Sequence, residues 1–307
     1  MFTWIARISD ARANMPHGCV NTTRNHAKTH FLLASVDLKS ENFDAAIEGF
    51  QRALALSPNY PEAWYNIGIA ERKRGNFEAS IQAYRNAIEQ RQNYQPAWNN
   101  LGLVLADAGR EDEALAAYND VLKKNPNYAA AWLNLGRLHY AKGRYVDAAL
   151  AYEKVVSLRP DDRSSNIKLG IALRRSGKPK DAVKVYERLV TREPRYVLAW
   201  YNLGVAQNAV GDTARARTAF ETALQHDPNH VNSMKSLGAL LAREGELTLA
   251  EPWLRNTLEH EPTDLEARFR LASLLAKKGD VIACETERGR VLSQDPKHEA
   301  KDLKCKK

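Results

Sequence analysis

Residues 129–162 read AAAWLNLGRLHYAKGRYVDAALAYEKVVSLRPDD, one full period of this 307-residue chain. Moved along in steps of 34, the frame returns a proline at Pro58, Pro126, Pro160, Pro194, Pro228, Pro262 and Pro296, and only Gln92 breaks the series. Ten residues after each proline position stand Gly68, Gly102, Gly136, Gly170, Gly204 and Gly238, and then Ala272. Two combs with one period describe an array of small stacked units, none of which buries its apolar face alone.

The frame defines eight repeats: 27–60, 61–94, 95–128, 129–162, 163–196, 197–230, 231–264 and 265–298. Position four is Trp64, Trp98, Trp132 and Trp200 in half of them, and position seven is Leu or Ile throughout, from Leu33 to Leu271. Residues three apart share a helix face, so these form the inner stripe of a first helix. Position eight is small, as is position 20 (Ala46, Ser80, Ala114, Ala148, Ala182, Ala216, Ala250, Cys284), which lets two helices approach closely. Glycine at position 15, from Gly75 to Gly279, ends the first helix. An aromatic at position 24 (Phe50, Tyr84, Tyr118, Tyr152, Tyr186, Phe220) is expected to fill the space between a second helix and the next repeat. Proline at position 32 stops that second helix.

This pattern resembles the tetratricopeptide repeat (TPR) family, W-x2-L-G…A-x3-F/Y…P over 34 residues, across 27–298. The resemblance implies an all-α fold, a right-handed superhelix (α-solenoid) of helix-turn-helix repeats whose first helices line a concave groove. The end repeats depart from it. The first has His30 for Trp and Glu41 for Gly; the last has Arg268 for Trp and Arg288 for the aromatic, which predicts a polar outer face on a capping repeat. Pro252 falls inside the second helix of repeat seven and is expected to kink it or delay its start, whereas Pro179 stands in a first turn, where it is tolerated.

Net charge is +8, of which residues 1–26 hold +2 and residues 299–307 another +2, leaving 8 − 4 = +4 for the array. So mild a bias does not argue for nucleic acid. Cys19, Cys284 and Cys305 are odd in number and far apart, so neither a disulfide framework nor a zinc site is expected, and a reducing, cytoplasmic setting follows. No apolar run approaches a membrane span. Residues 1–26 form an extension, with Phe2, Ile5, Ile8, Arg7 and Arg12 making a weak amphipathic stretch before Pro16. A targeting presequence, a flexible arm and an upstream extension of a start at Met15 all stay open. Residues 299–307 read as a basic tail.

No P-loop, GxGxxG or GxSxG occurs, and no stretch outside the repeats is long enough for a catalytic core. His226 and His260 stand on equivalent turns near Glu259 and Glu261, but the plain reading is solvated loop residues. The expectation is a non-enzyme with no catalytic residue, cofactor or metal.

The sharper signal is position six: Asn66, Asn100, Asn134, Lys168, Asn202, Ser236 and Arg270. Asparagine is a poor helix former, so four at one mid-helix position need a reason. Its amide can both donate to and accept from one residue of an extended peptide. The array is similar here to the asparagine ladder of the TPR region of O-linked N-acetylglucosaminyl transferases, which grips peptides, although the catalytic half of those enzymes is missing. The other reading has these amides bonding between neighbouring first helices. Asn99, Tyr65, Tyr201, Lys168, Arg137, Arg174, Lys235 and Arg270 complete the candidate peptide-binding set, in a face with more basic than acidic residues. A carboxylate clamp wants Lys at five with Asn at nine, and no repeat has both.

The leading function is therefore a protein-interaction scaffold or adaptor that holds an extended, partly acidic peptide. The alternative is a homo-oligomeric structural array in which a groove accepts a terminus. RNA reading ranks last, because positions two and five vary freely.

Overall fold

The computed structural model describes the backbone of residues 17–306 and side chains from residue 26. The amphipathic stretch before Pro16 lies outside the described residues, and Cys19 lies outside the described side chains. Among the described residues there are sixteen α-helices, one 3-10 turn and no strand. The chain divides into two compact halves at Gly143 and Arg144, inside the turn of the fourth repeat.

In the N-terminal half, α1 (His17–Lys39), α2 (Phe43–Leu56), α3 (Pro61–Lys73), α4 (Phe77–Gln90), α5 (Gln95–Asp107), α6 (Glu111–Lys124) and α7 (Ala129–Ala141) each pack on the next. The first helix begins upstream of position 27, where the repeat frame opens. The C-terminal half holds α8 (Tyr145–Leu158), α9 (Arg163–Arg175), α10 (Pro179–Arg192), α11 (Val197–Val210), α12 (Thr213–His226), α13 (Val231–Glu244), α14 (Leu247–His260), α15 (Leu265–Lys278) and α16 (Val281–Gln294), again packed in sequence. The 3-10 turn, Glu299–Asp302, packs on α16. First helices also touch one another: α1 and α3, α5 and α7, α9 and α11, α11 and α13, α13 and α15. They therefore share a face within each half.

Three repeated contacts explain the consensus. Every position-15 glycine from Gly75 to Gly279 has φ between +72 and +91, a region that disfavours a Cβ. The first repeat meets the same demand with Glu41 at φ +61. The second contact is at position eight. A Cβ built on Gly68 would lie 2.6 Å from the Tyr84 ring, on Gly102 2.6 Å from Tyr118, and on Gly170 2.2 Å from Tyr186. The aromatic at position 24 thus lies flat on the first helix of its own repeat. It also reaches the next repeat, as expected: Phe50 shares a core cluster with Ala63 and Ile67, and Phe220 with Met234 and Leu237. The third contact runs backwards along the chain. The indole N–H of Trp98, Trp132 and Trp200 donates to the carbonyl at position 32 of the preceding repeat, at 2.9, 2.7 and 2.7 Å. Such carbonyls at a helix end lack a helical partner, so the tryptophan closes the loop as well as filling it. Asn166 does the same to Pro160 at 3.0 Å.

The last repeat corrects the reading of a polar outer face. Arg268 is buried, donates to the Pro262 carbonyl as tryptophan does elsewhere, and pairs with Glu287 at 2.7 Å. Arg288 donates to the carbonyls of Ala300 and Lys301 at 3.0 and 3.2 Å, so the residue replacing the aromatic anchors the tail. Pro252 does not delay α14, which begins at Leu247 and continues through it. Pro179 is at the first turn of α10 as expected.

Cys284 and Cys305 form a disulfide with their Cα atoms 5.8 Å apart. This overturns the expectation of unpaired cysteines and removes the argument for a reducing compartment. The sequence carried a signal for it. The cysteines are 21 residues apart, and position 20 of one repeat and position seven of the next are also 21 apart (67 − 46, 203 − 182, 237 − 216, 271 − 250). Each of those pairs, Ala46 with Ile67, Ala182 with Leu203, Ala216 with Leu237 and Ala250 with Leu271, shares a core cluster. Cys305 is position seven of the continuing frame, so the disulfide replaces a recurring core contact with a bond.

Candidate functional site

The candidate residues sit where the frame places them, on the first helices, but the two halves treat them differently. In the N-terminal half they form connected pairs across successive first helices. Asn100 on α5 donates its amide to the Tyr65 hydroxyl of α3 at 3.1 Å, and Asn134 on α7 donates to Asn99 of α5 at 3.0 Å. Asn99 in turn donates to Asn100 at 3.3 Å. Asn66, Asn100 and Asn134 are each partly exposed, while Asn99 is buried beneath them. Tyr65 also lies 5.2 Å from the Tyr94 ring and 5.8 Å from Tyr84. Burial raises the Tyr65 phenol above its ordinary pKa, partly offset by the Asn100 hydrogen bond, so it remains a neutral donor and acceptor.

In the C-terminal half Asn202 is buried and donates to the Leu198 carbonyl of its own helix at 2.7 Å. It therefore bonds within its own helix, where Asn100 and Asn134 bond across to a neighbouring first helix. Lys168 reaches Ser164 one turn back on its own helix, and Tyr201 packs edge-on against His230 with ring centroids 5.3 Å apart.

The cations are balanced more fully than a count of first-helix positions indicates. Arg72 pairs with Asp107 of the next repeat at 2.6 Å, Lys235 with Asp264 at 2.7 Å, and Arg270 with Glu266 at 2.6 Å. Arg243 donates to Asn208 at 2.5 Å. Asp264 lies outside the counted positions, as the cap of α15. Burial acts to raise its carboxyl, but hydrogen bonds from Lys235 and the Ala267 amide outweigh that and hold it below the usual range. Arg137 stays exposed and Arg174 half-buried, so positive charge remains on both halves.

Among the described residues no three His, Cys, Asp or Glu side chains converge as metal ligands, and no helix is long and apolar enough to cross a membrane.

Models of the tetratricopeptide repeat match residues 31–96, 68–129, 99–163 and 173–243, more than half of the chain. The protein belongs to the tetratricopeptide repeat family. No curated protein matches it. Among solved structures it is similar to a TPR repeat-containing protein from Cytophaga hutchinsonii, solved as its C-terminal part (18% identity, 89% of this chain and 99% of that one, TM-score 0.58). It also resembles a tetratricopeptide repeat protein from Parabacteroides merdae (16%, 80% and 98%, TM-score 0.54). A third is YrrB, described as a TPR protein with an unusual peptide-binding site (22%, 61% and 96%, TM-score 0.51). At these identities the likeness shows the fold.

Proposed function

We propose that this protein is a non-catalytic interaction scaffold whose N-terminal half holds an extended peptide by its main chain. One observation carries the reading: Asn66, Asn100 and Asn134 recur at 34-residue intervals on α3, α5 and α7 and are partly exposed, with one N–H of Asn100 given to Tyr65 and one of Asn134 to Asn99. A mid-helix asparagine has an intrinsic cost, and its amide can donate to and accept from a peptide unit in one plane. Those two bonds each use one N–H and orient what remains of the Asn100 and Asn134 amides before a ligand arrives, which lowers the entropy lost on binding. YrrB, described as having a peptide-binding site, adds analogy at the level of fold.

The C-terminal half contributes charge rather than main-chain recognition, since Asn202 is buried and bonded within its own helix whereas the N-terminal asparagines are partly exposed. Pairs such as Lys235–Asp264 leave the face only modestly basic, so the ligand's acidic character is a secondary feature. The test is selection from a random displayed dodecamer library on the wild-type chain, then on Asn66→Ala/Asn100→Ala/Asn134→Ala with unchanged helical content. Peptides enriched by the wild type and lost by the triple variant support the reading. Equal enrichment on both contradicts it.

A further inference from the structure

Leu33 occupies position seven, which is buried in every later repeat, yet it is 60% exposed. Val36 occupies position ten, buried in repeats two, three and five to eight, and is 61% exposed. With Leu32 they form an apolar strip on α1. The reason is geometric. In repeats two, six, seven and eight, position seven shares a core cluster with position 20 of the preceding repeat, and among the described residues no helix precedes α1. Among the described residues the strip is thus one side of an inter-repeat interface without its other side.

That other side exists at the opposite end of the array, already occupied. Behind α16, residues 299–305 lie where a ninth first helix would begin. Ala300 is fully buried, Leu303 and Cys305 pack on the last core cluster, and Arg288 binds the carbonyls of Ala300 and Lys301. Cys305 stands in the frame where Leu33 stands in the first repeat, and it is bonded to Cys284.

We propose that the back of repeat eight is a docking surface for the α1 strip of a second copy of this chain, and that the Cys284–Cys305 disulfide holds it closed. Continuity with the interface already repeated along the chain identifies the occupant: Leu33 and Val36 of the incoming copy take the places of Cys305 and its neighbours. Opening requires a thiol reductant such as a dithiol. Two electrons and two protons convert the disulfide to Cys284 and Cys305 thiols, and the dithiol becomes its own disulfide. A segment of so few residues, with Ala300 its one buried side chain, then has little to offset the backbone entropy that order costs. The contact is head-to-tail, so each copy offers a strip at one end and a docking surface at the other, and association is not limited to a dimer. It is separate from the peptide-binding reading and does not depend on it.

The experiment is sedimentation velocity on the full chain over a range of concentrations, oxidised, reduced with dithiothreitol, and as Cys305→Ser. The oxidised protein is expected to be monomeric, and the reduced protein and Cys305→Ser to give masses that climb with concentration. Leu33→Asp in the Cys305→Ser chain is expected to restore the monomer and, mixed with Cys305→Ser, to shorten its oligomers by capping one end. Reduced wild type supplies the answer even if Cys305→Ser folds poorly. A reduced chain that stays monomeric overturns the proposal and assigns the apolar strip to another segment or partner. Association that survives Leu33→Asp overturns it too.

Discussion

The two ends of the array solve the same problem in opposite ways. The last repeat is sealed: a buried Arg268–Glu287 pair stands in for tryptophan, Arg288 grips the tail, and a disulfide fixes it there. The first repeat leaves Leu32, Leu33 and Val36 exposed and turns at Glu41 in a conformation that elsewhere is given to glycine. In a stack where each unit is stabilised by its neighbours, an end has only one neighbour. The difference teaches that the consensus encodes interfaces, and that departures from it mark where an interface has been replaced or left open.

Four sets of substitutions sharpen or break this comparison. Glu287→Ala is expected to have the largest effect. It strands a buried guanidinium, which costs about 3–5 kcal/mol, and denaturant unfolding with hydrogen exchange should show repeat eight opening first. If the chain is unaffected, Arg268 is solvated rather than sealed.

Next is Cys305→Ser, which removes a covalent loop spanning 21 residues and should cost roughly 3 kcal/mol, confined to the C-terminal half. Thermal melts of oxidised and reduced wild type should differ in the same sense, and identical melts would show that the tail holds without the bond.

A smaller gain is expected from Glu41→Gly. Relief of a left-handed conformation should stabilise the first repeat by about 1 kcal/mol, and the reciprocal Gly279→Glu should cost the last repeat a similar amount. Amide exchange in α1 and α15 is the readout, and no change at either site would show that φ is not what position 15 selects.

Least of all, Leu33→Asp should leave monomer stability within about 0.5 kcal/mol, because the side chain is already in water. Ile67→Asp, at the same position one repeat later, should unfold its neighbourhood. Equal costs would mean that the α1 strip is covered.

The C-terminal half also carries an acid sensitivity. Hydrogen bonds from Lys278 and Arg255 hold the Glu251 carboxyl below its ordinary value despite partial burial, and Asp264 is lowered as well. Carboxyls depressed in the folded state stabilise it above their unfolded pKa of about 4. That contribution fades as pH falls through the lower folded values.

The repeat frame was legible because it rests on contacts of one kind repeated many times. Gly75 to Gly279, the proline comb and Trp98, Trp132 and Trp200 each follow from a local demand of backbone or packing, and a single sequence displays that demand several times over. What was hidden is what happens once. Arg268 reads as a surface residue until its partner Glu287, 19 residues away, is seen beside it, because pairing is a property of two positions and not of one. Cys284 and Cys305 looked unrelated by ordinary disulfide spacing, although their 21-residue separation is the spacing of the core contact between repeats. The candidate site was half legible. Position six picked out Asn66, Asn100, Asn134 and Asn202 alike, but Asn100 and Asn134 bond across to neighbouring first helices, at Tyr65 and Asn99, while Asn202 is buried and bonds within its own helix to Leu198. Charge was overread because Asp107 and Glu266 pair with Arg72 and Arg270, and Asp264 balances Lys235 from a cap position off the helix face.

The central claim, main-chain recognition by the N-terminal asparagines, is tested most directly by titrating one library-selected peptide by fluorescence anisotropy against wild type, Asn66→Ala/Asn100→Ala/Asn134→Ala, and Asn202→Ala. The same titrations are repeated with the peptide N-methylated at alternate residues. At about 1 kcal/mol for each amide removed, the triple variant should bind roughly a hundredfold more weakly, and Asn202→Ala should match wild type. N-methylation should weaken binding to wild type and change little in the triple variant. Equal affinity for wild type and triple variant, or indifference of wild type to N-methylation, would contradict the account.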